Sequence, residues 1–292
     1  MGREKTIALG VLNIKTQPHS PENYLKLFKY LFKMKPLVKI RGADYGTPFS
    51  FHPIVRDEPL KGIIGTFFKY LEIDPSKPWL DLEKHEPIVN EEGDPIPQVS
   101  KHKRPNTKEI EFVFYPNGHR LFFNAKSITP SMAKKLLESL FCDENIKKKF
   151  GLIDVEIETS IEAIEKILKI PKITKLEITF SRPNDDDLAE EEQRFIARMA
   201  NQKARKIELK LTSDKVVGLI PDDQTKAMMN VAISNGDVTA EGYEGENKVS
   251  ESTVEHPFEH REKYDTALQT FSAAMINVSS NILGYFTKQK GR

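Results

Sequence analysis

The chain has only one cysteine, Cys142, among its 292 residues. A single thiol cannot form an intrachain disulfide or a cysteine-based zinc cluster, so the sequence is typical of a reducing compartment and we expect a cytoplasmic protein. No apolar run is long enough to span a membrane, and the start of the chain lacks a secretory apolar region. We therefore predict that the membrane is not a partner.

Several motifs that mark common enzyme classes are also missing. The sequence contains no G-x-x-x-x-G-K-[ST] loop, no G-x-G-x-x-G after a strand and no G-x-S-x-G elbow. Mechanisms driven by nucleotides, dinucleotides or a serine nucleophile therefore lack their usual phosphate or nucleophile geometry. Metal-free ribonucleases are unaffected by this argument, because they need only a few scattered polar residues. We predict no cofactor and no bound metal, and we favour a non-enzymatic role while leaving catalysis open.

The segment 151–212 carries the clearest structural pattern. Apolar and polar residues alternate over 153–157, 176–180 and 207–211, which is the period of half-buried strands, and amphipathic helices separate these strands. Parallel sheets that are covered on both faces have unbroken apolar strands, whereas these strands are half polar. The pattern predicts an α+β fold: a two-layer sandwich with a mainly antiparallel or mixed sheet, helices on one face and a carboxylate-rich open face.

The remaining elements predict an N-terminal α+β domain over 1–125 and a C-terminal α+β domain over 126–292 that ends in a long helix. The predicted elements are a strand at 7–14, a helix after Ser20, a mobile loop at about 84–108, a hairpin formed by 109–115 and 120–124, a helix at 129–141, a helix at 223–234, a turn at Asn235 and Gly236, a strand at 238–243 and a helix at 267–286.

Two sets of residues are weak catalytic candidates. His119 and Arg120 lie at the predicted hairpin exit, where an imidazole and a guanidinium can serve as an acid/base and a phosphate clamp. A solvated hairpin end explains them equally well. The open sheet face offers a divalent-metal site for phosphodiester cleavage, although alternating Glu and Lys on a wet face is also the ordinary solution for solubility. The carboxylates of that face are Glu156, Glu158, Glu177 and Glu208.

A histidine pair offers a further metal-binding hypothesis. His256 and His260 are four residues apart, which is a metal-binding spacing on a helix. Pro257 lies between them and disfavours a regular helix, and the sequence offers no third ligand nearby.

Basic residues cluster at several points of a chain whose formal net charge is only +1. A nucleic-acid surface therefore requires segregation of charge rather than an excess of it. The predicted nucleic-acid-binding residues are Lys101, Lys103, Arg104, Lys134, Lys135, Lys147, Lys148, Lys149, Arg194, Arg198, Lys203 and Arg205.

The segment SIEAIEKILKIPKITKLEITFSRPNDDD, together with SNGDVTAEGYEGE and ESTVEHPFEHREKYD, resembles a family of uncharacterised bacterial proteins known only as a domain of unknown function. The resemblance is best over 151–265 and includes Arg182-Pro183-Asn184 and the turn at Asn235 and Gly236. The order of elements is also similar to that of the phage lambda exclusion protein RexA. This second similarity implies sequence-tolerant DNA binding, dimerisation and a role in anti-phage defence, but it assigns no functional residue.

Three hypotheses follow from the sequence. The favoured one is a non-enzymatic nucleic-acid-binding protein, with DNA favoured over RNA, that forms a homodimer and acts in bacterial anti-phage defence with a partner protein of the same system. The first alternative is a nuclease-type effector, either a ribonuclease or a metal-dependent deoxyribonuclease, that uses the catalytic candidates above. The second alternative is a protein-interaction or oligomerisation module.

Overall fold

The computed structural model describes residues 2–100, 102–183 and 190–288 and confirms the predicted α+β fold. A curled antiparallel sheet of eight strands is built around strand β1 (Glu4–Thr16), and its path runs β14-β1-β8-β7-β4-β3-β2 with β9 also paired to β1. The other strands of this large sheet are β2 (Val38–Arg41), β3 (Asp44–Pro53), β4 (Ile63–Leu71), β7 (Lys108–Tyr115), β8 (Arg120–Asn124), β9 (Ile153–Ile157) and β14 (Glu259–Asp265).

A second antiparallel sheet has four strands in the order β11-β10-β12-β13, and a short hairpin forms a third. The strands of this small sheet are β10 (Lys172–Ser181), β11 (Lys206–Thr212), β12 (Gly236–Glu244) and β13 (Asn247–Ser252). The hairpin pairs β5 (Trp79–Asp81) with β6 (Glu86–Ile88). Since β6 falls inside the segment predicted as a loop at 84–108, that segment is partly regular.

The helices are α1 (Pro21–Met34), α2 (Pro130–Phe141), α3 (Glu144–Phe150), α4 (Ile161–Leu168), α5 (Glu190–Asn201), α6 (Asp223–Asn235) and α7 (Phe271–Lys288). Local sequence explains where they begin. The Ser20 hydroxyl accepts a hydrogen bond from the backbone amide of Asn23, and Ser160 caps α4 in the same way. Within the described ranges, no helix combines the length and the apolar character needed to cross a bilayer.

Three apolar cores hold these layers together. On one face of the large sheet, Leu12 and Ile14 of β1 pack with α1, α2 and α3. On the opposite face, Leu9 and Val11 pack with α7, so helices cover both faces of this sheet. The small sheet packs its buried face, which includes Ile178, against α4, α5 and α6. Alternation along β1 thus serves two cores at once.

The expectation that the three strands of 151–212 share one sheet is wrong. Strand β9 pairs antiparallel with β1, with Leu12 opposite Ile157 and Thr16 opposite Ile153, whereas β10 and β11 pair with each other in the small sheet. Alternation shows that a strand is half buried but does not identify its neighbour. The chain beyond residue 126 therefore supplies strands β9 and β14 of the large sheet and helix α7, which packs on one face of it. The proposed domain boundary stays a prediction.

The predicted turn at Asn235 and Gly236 is a direct junction between α6 and β12. A Cβ atom on Gly236 would collide with the backbone carbonyl of Thr179 on the neighbouring strand, so the close approach of the two strands requires glycine there. The predicted hairpin is confirmed, because Phe114 of β7 lies opposite Leu121 of β8.

Candidate nucleic-acid interface and a buried polar network

A polar network lies where β1 meets the small sheet. The face of β1 that packs on α7 is apolar at Leu9 and Val11. Further along the same face the strand carries the polar residues Asn13 and Lys15, and both of these side chains are buried. We define the junction network as Asn13, Lys15, His119, Arg120, Glu158, Ser181, Ser234 and Asn235. Its members come from β1, β8, β10, α6 and two connecting segments, so it joins elements that are far apart in the sequence.

His119 and Arg120 belong to this network, and their interpretation as a solvated hairpin end is wrong. The His119 ring is fully buried, and its Nδ1 lies 2.7 Å from the Asn13 Oδ1. The Arg120 Nε lies 2.5 Å from the Glu158 Oε1, and the two side chains are 3% and 1% exposed. Ser234 donates a hydrogen bond of 2.6 Å to the other oxygen of Glu158. A catalytic role for His119 and Arg120 stays a prediction.

Lys15 adds a further buried ionisable side chain to the network. Its Nζ donates to the Ser181 Oγ at 2.5 Å and to the Asn235 Oδ1 at 3.3 Å. Burial lowers the pKa of Lys15 from 10.5 to about 8, although the carboxylates of Glu156 and Asp154 oppose that shift. The ammonium is therefore held in a site that favours the neutral amine.

Because the buried site favours the neutral amine of Lys15, we expect the folded chain to be more stable at alkaline pH than at neutral pH. Because the pKa of Lys15 is lower in the folded chain, the unfolded chain binds more protons between pH 8 and 10.5, and stability from this group rises across that window. The free energy of unfolding of the natural chain minus that of Lys15→Met should therefore increase by about 3 kcal/mol between pH 8 and pH 10.5. Urea unfolding of both chains at several pH values measures the difference, with Lys26→Met as a control for loss of an exposed lysine. A constant difference between the two chains would contradict the expectation.

The candidate carboxylates each have a basic partner. Glu156 accepts from the Lys134 Nζ at 2.6 Å, and Glu208 lies 2.7 Å from the Lys206 Nζ. Hydrogen bonds from Lys175 and Lys210 lower the pKa of Glu177. Within the described residues, no group of three or more His, Cys, Asp or Glu side chains is arranged to hold a metal ion.

The two candidate histidines do not share a helix. His256 follows a short 3-10 turn and contacts Glu251 at 3.2 Å, whereas His260 lies on β14 and contacts Glu262 at 3.4 Å. The chain between them is extended, as Pro257 indicated.

Many of the predicted nucleic-acid-binding residues are paired with acids. Lys101 and the side chain of Arg194 lie outside the described residues, while Lys103, Arg198 and Lys203 are exposed. The ion pairs are Arg104 with Glu72, Lys134 with Glu156 and Glu138, Lys135 with Glu138, Lys147 with Glu144, and Arg205 with Asp154. These positions lie on several elements, and their role in binding nucleic acid stays a prediction.

A more concentrated basic region lies on α1 and α3. Lys26, Lys29 and Lys33 are spaced three and four residues apart, so they form one exposed stripe along α1. Helix α3 lies beside it, with the Lys149 Nζ 4.3 Å from the centroid of the Tyr30 ring. We define the lysine surface as Lys26, Lys29, Lys33, Lys35, Lys148 and Lys149. Within the part of the chain that the structure describes, none of these six lysines forms an ion pair.

An aromatic groove borders the lysine surface on the side of β3. It has a volume of about 290 Å³ and is lined by Lys29, Phe32, Lys33, Phe49, Ser50 and Phe51. Phe49 is 47% exposed, and the Lys35 Nζ lies 5.6 Å from the centroid of its ring. The lysines of α1 are not among the predicted binding residues, because their proximity to α3 and β3 is tertiary.

Comparison with known families matches residues 5–280 to the family described as Domain of unknown function (DUF4747). A comparison with curated proteins found no match. The matched segment extends from β1 into α7 and therefore includes both sheets, the junction network and the lysine surface. The chain belongs to the DUF4747 family.

Proposed function

We propose that this protein binds nucleic acid through the lysine surface, with DNA favoured over RNA and without reading base sequence. The observation that carries the proposal is the segregation of charge. In a chain with a formal net charge of only +1, six lysines that form no ion pair within the described residues are gathered on two neighbouring helices and at the C-terminal cap of one of them. Elsewhere several basic side chains are paired with carboxylates, as Arg120 is with Glu158 and Lys134 with Glu156.

The chemistry of lysine explains why binding should tolerate many sequences. An ammonium group is a compact point charge on a flexible stem, and it satisfies phosphate oxygens without the planar geometry that base edges require. Contacts to phosphate fix position and supply affinity but carry no sequence information directly. The lysine surface offers charge without the arginine, asparagine or glutamine side chains that usually read bases in the major groove.

The proposal extends to a cellular role. The similarity in element order to the phage lambda exclusion protein RexA supports a non-enzymatic component of bacterial anti-phage defence that acts as a cytoplasmic homodimer with a protein partner. This part of the proposal depends on the order of elements alone and is separate from the lysine surface.

We expect binding to weaken steeply with salt. If about four to six lysines displace counterions, the logarithm of the binding constant should fall against the logarithm of salt concentration with a slope of about −3.6 to −5.4 on duplex DNA. Fluorescence anisotropy with two unrelated labelled duplexes, measured at several salt concentrations, gives both the slope and the sequence tolerance. Size-exclusion chromatography with light scattering gives the oligomeric state in the same buffers.

Two results would overturn the proposal. One is the absence of binding to any duplex or single strand at low salt. The other is a strong preference for one of the two sequences with little dependence on salt. A defined oligomer without nucleic-acid affinity would instead support the protein-interaction module.

A further inference from the structure

A bulge in β3 turns an aromatic ring towards solvent. The pairing of β3 with β4 is interrupted between Pro48 and Ser50, so Phe49 is the extra residue that has no partner in the register. Pro48 cannot donate a ladder hydrogen bond, which is consistent with an irregularity at this point. Bulges re-aim side chains, and here the result is a large apolar ring that is nearly half exposed.

The surroundings hold this ring in a defined position. Phe68 of β4 packs against Phe49 with a distance of 4.5 Å between ring centroids, and Phe51 packs against Phe32 of α1 at 4.9 Å. Phe49, Phe51 and Phe32 line the groove together with Lys29 and Lys33 of the lysine surface. The aromatic rings and the ammonium groups of Lys29 and Lys33 therefore share one opening.

We propose that this groove binds an unpaired base, so that the ligand of the lysine surface is single-stranded nucleic acid. This inference rests on the proposed function and specifies its substrate. Proteins that bind single strands combine a positively charged path for the backbone with aromatic side chains on which bases stack. The lysine stripe supplies the path, and Phe49 supplies the ring beside it.

Charge and shape favour this ligand. A duplex presents phosphates on the outside and keeps its bases stacked in pairs, so the Phe49 ring does not reach a base face unless the base is unpaired. Stacking tolerates every base because each has a π face, which agrees with binding that does not read sequence. An anionic membrane would offer charge as well, but among the residues that line the groove only Phe49 is an exposed ring, which is a small apolar area for a lipid surface.

The test compares Phe49→Ala and Phe49→Trp with the natural chain. We expect Phe49→Ala to weaken binding to a mixed-sequence single strand by about 5- to 150-fold, because one stacked base contributes about 1–3 kcal/mol. The salt slope should stay unchanged, since no phosphate contact is lost. Phe49→Trp should retain binding. Trp79→Ala, which removes an exposed ring elsewhere, is the matched control.

The same measurements use DNA and RNA single strands, a duplex of the same sequence and vesicles that contain phosphatidylserine. A single strand with 2-aminopurine reports stacking directly, through quenching that Phe49→Ala should remove. Equal losses on single strand and duplex, or no loss on either, would overturn the base site while leaving the proposed function intact. A loss confined to vesicles would assign the groove to a lipid surface and overturn it as well. No binding of the natural chain to any nucleic acid at low salt would instead overturn the proposed function itself.

Thermal unfolding of each variant shows whether Phe49→Ala has lost the fold. In that case the base site is decided by two other variants: Phe49→Trp should retain binding to the single strand, and Phe49→Leu should weaken binding to the single strand but not to the duplex.

Discussion

We expect Glu158→Ala to lower the free energy of unfolding by about 3–5 kcal/mol, the largest effect of a single substitution predicted for this chain. The substitution leaves Arg120 buried without the carboxylate that lies 2.5 Å from its Nε. It also removes the acceptor for the Ser234 hydroxyl. A buried charge that loses its partner keeps the full cost of desolvation, whereas an exposed charge is solvated by water.

Urea unfolding at neutral pH measures this change. Glu208→Ala is the matched control, because Glu208 has an exposed ion pair with Lys206 and such pairs contribute about 0–1 kcal/mol. The double variant Arg120→Met with Glu158→Leu removes both charges together, so it should be more stable than Glu158→Ala alone. A loss of less than about 1 kcal/mol for Glu158→Ala would show that the pair is not desolvated in solution.

The junction network explains why such a costly arrangement occurs in the fold. Apolar surfaces associate without directional preference, whereas charges and amides require specific partners. At the junction, Asn13 binds the backbone carbonyl of Ser234 at 2.8 Å, and Lys15 binds Ser181 of the small sheet. We infer that this polar junction fixes the position of α6 and β10 against β1, where apolar contacts alone would permit sliding.

Local features of the fold were predictable from the sequence. The helix start at Ser20, the alternating strands and the hairpin formed by 109–115 and 120–124 depend on neighbouring residues, and the structure confirms them. The partner of β9 was not predictable, since alternation is equally compatible with either sheet. The burial of His119 was also hidden, because it depends on distant residues, namely Asn13 of β1 and the rings of His19 and Tyr24.

The candidate site was predictable only in part. The spacing of Lys26, Lys29 and Lys33 places them on one helix face, and periodicity alone is enough to predict this. The bulge at Phe49 depends on how β3 pairs with β4, for which Pro48 was the only local indication. Pairing of Lys134 with Glu156 is likewise tertiary, so counting basic residues overestimated their availability.

We expect the triple variant Lys26→Ala, Lys29→Ala and Lys33→Ala to weaken nucleic-acid binding on the order of 10²-fold at about 0.1 M salt. Each lysine that contacts a phosphate contributes about 0.9 to the salt slope on duplex DNA and about 0.7 on a single strand. Loss of three contacts should therefore reduce the magnitude of the slope by about 2.7 on a duplex and about 2.1 on a single strand. Anisotropy titrations over a range of salt concentrations measure both quantities.

The matched control is the triple variant Lys206→Ala, Lys210→Ala and Lys248→Ala. It lowers the formal net charge by the same three units, but each of these lysines is paired with a glutamate on the small sheet. If total charge alone governed binding, the two triple variants would lose affinity equally. If the α1 stripe contacts phosphates, only the first variant should change the salt slope, because a slope counts displaced counterions rather than net charge. Equal slopes for both variants would remove the lysine surface from the interface, and this comparison therefore tests the location of the site separately from the existence of binding.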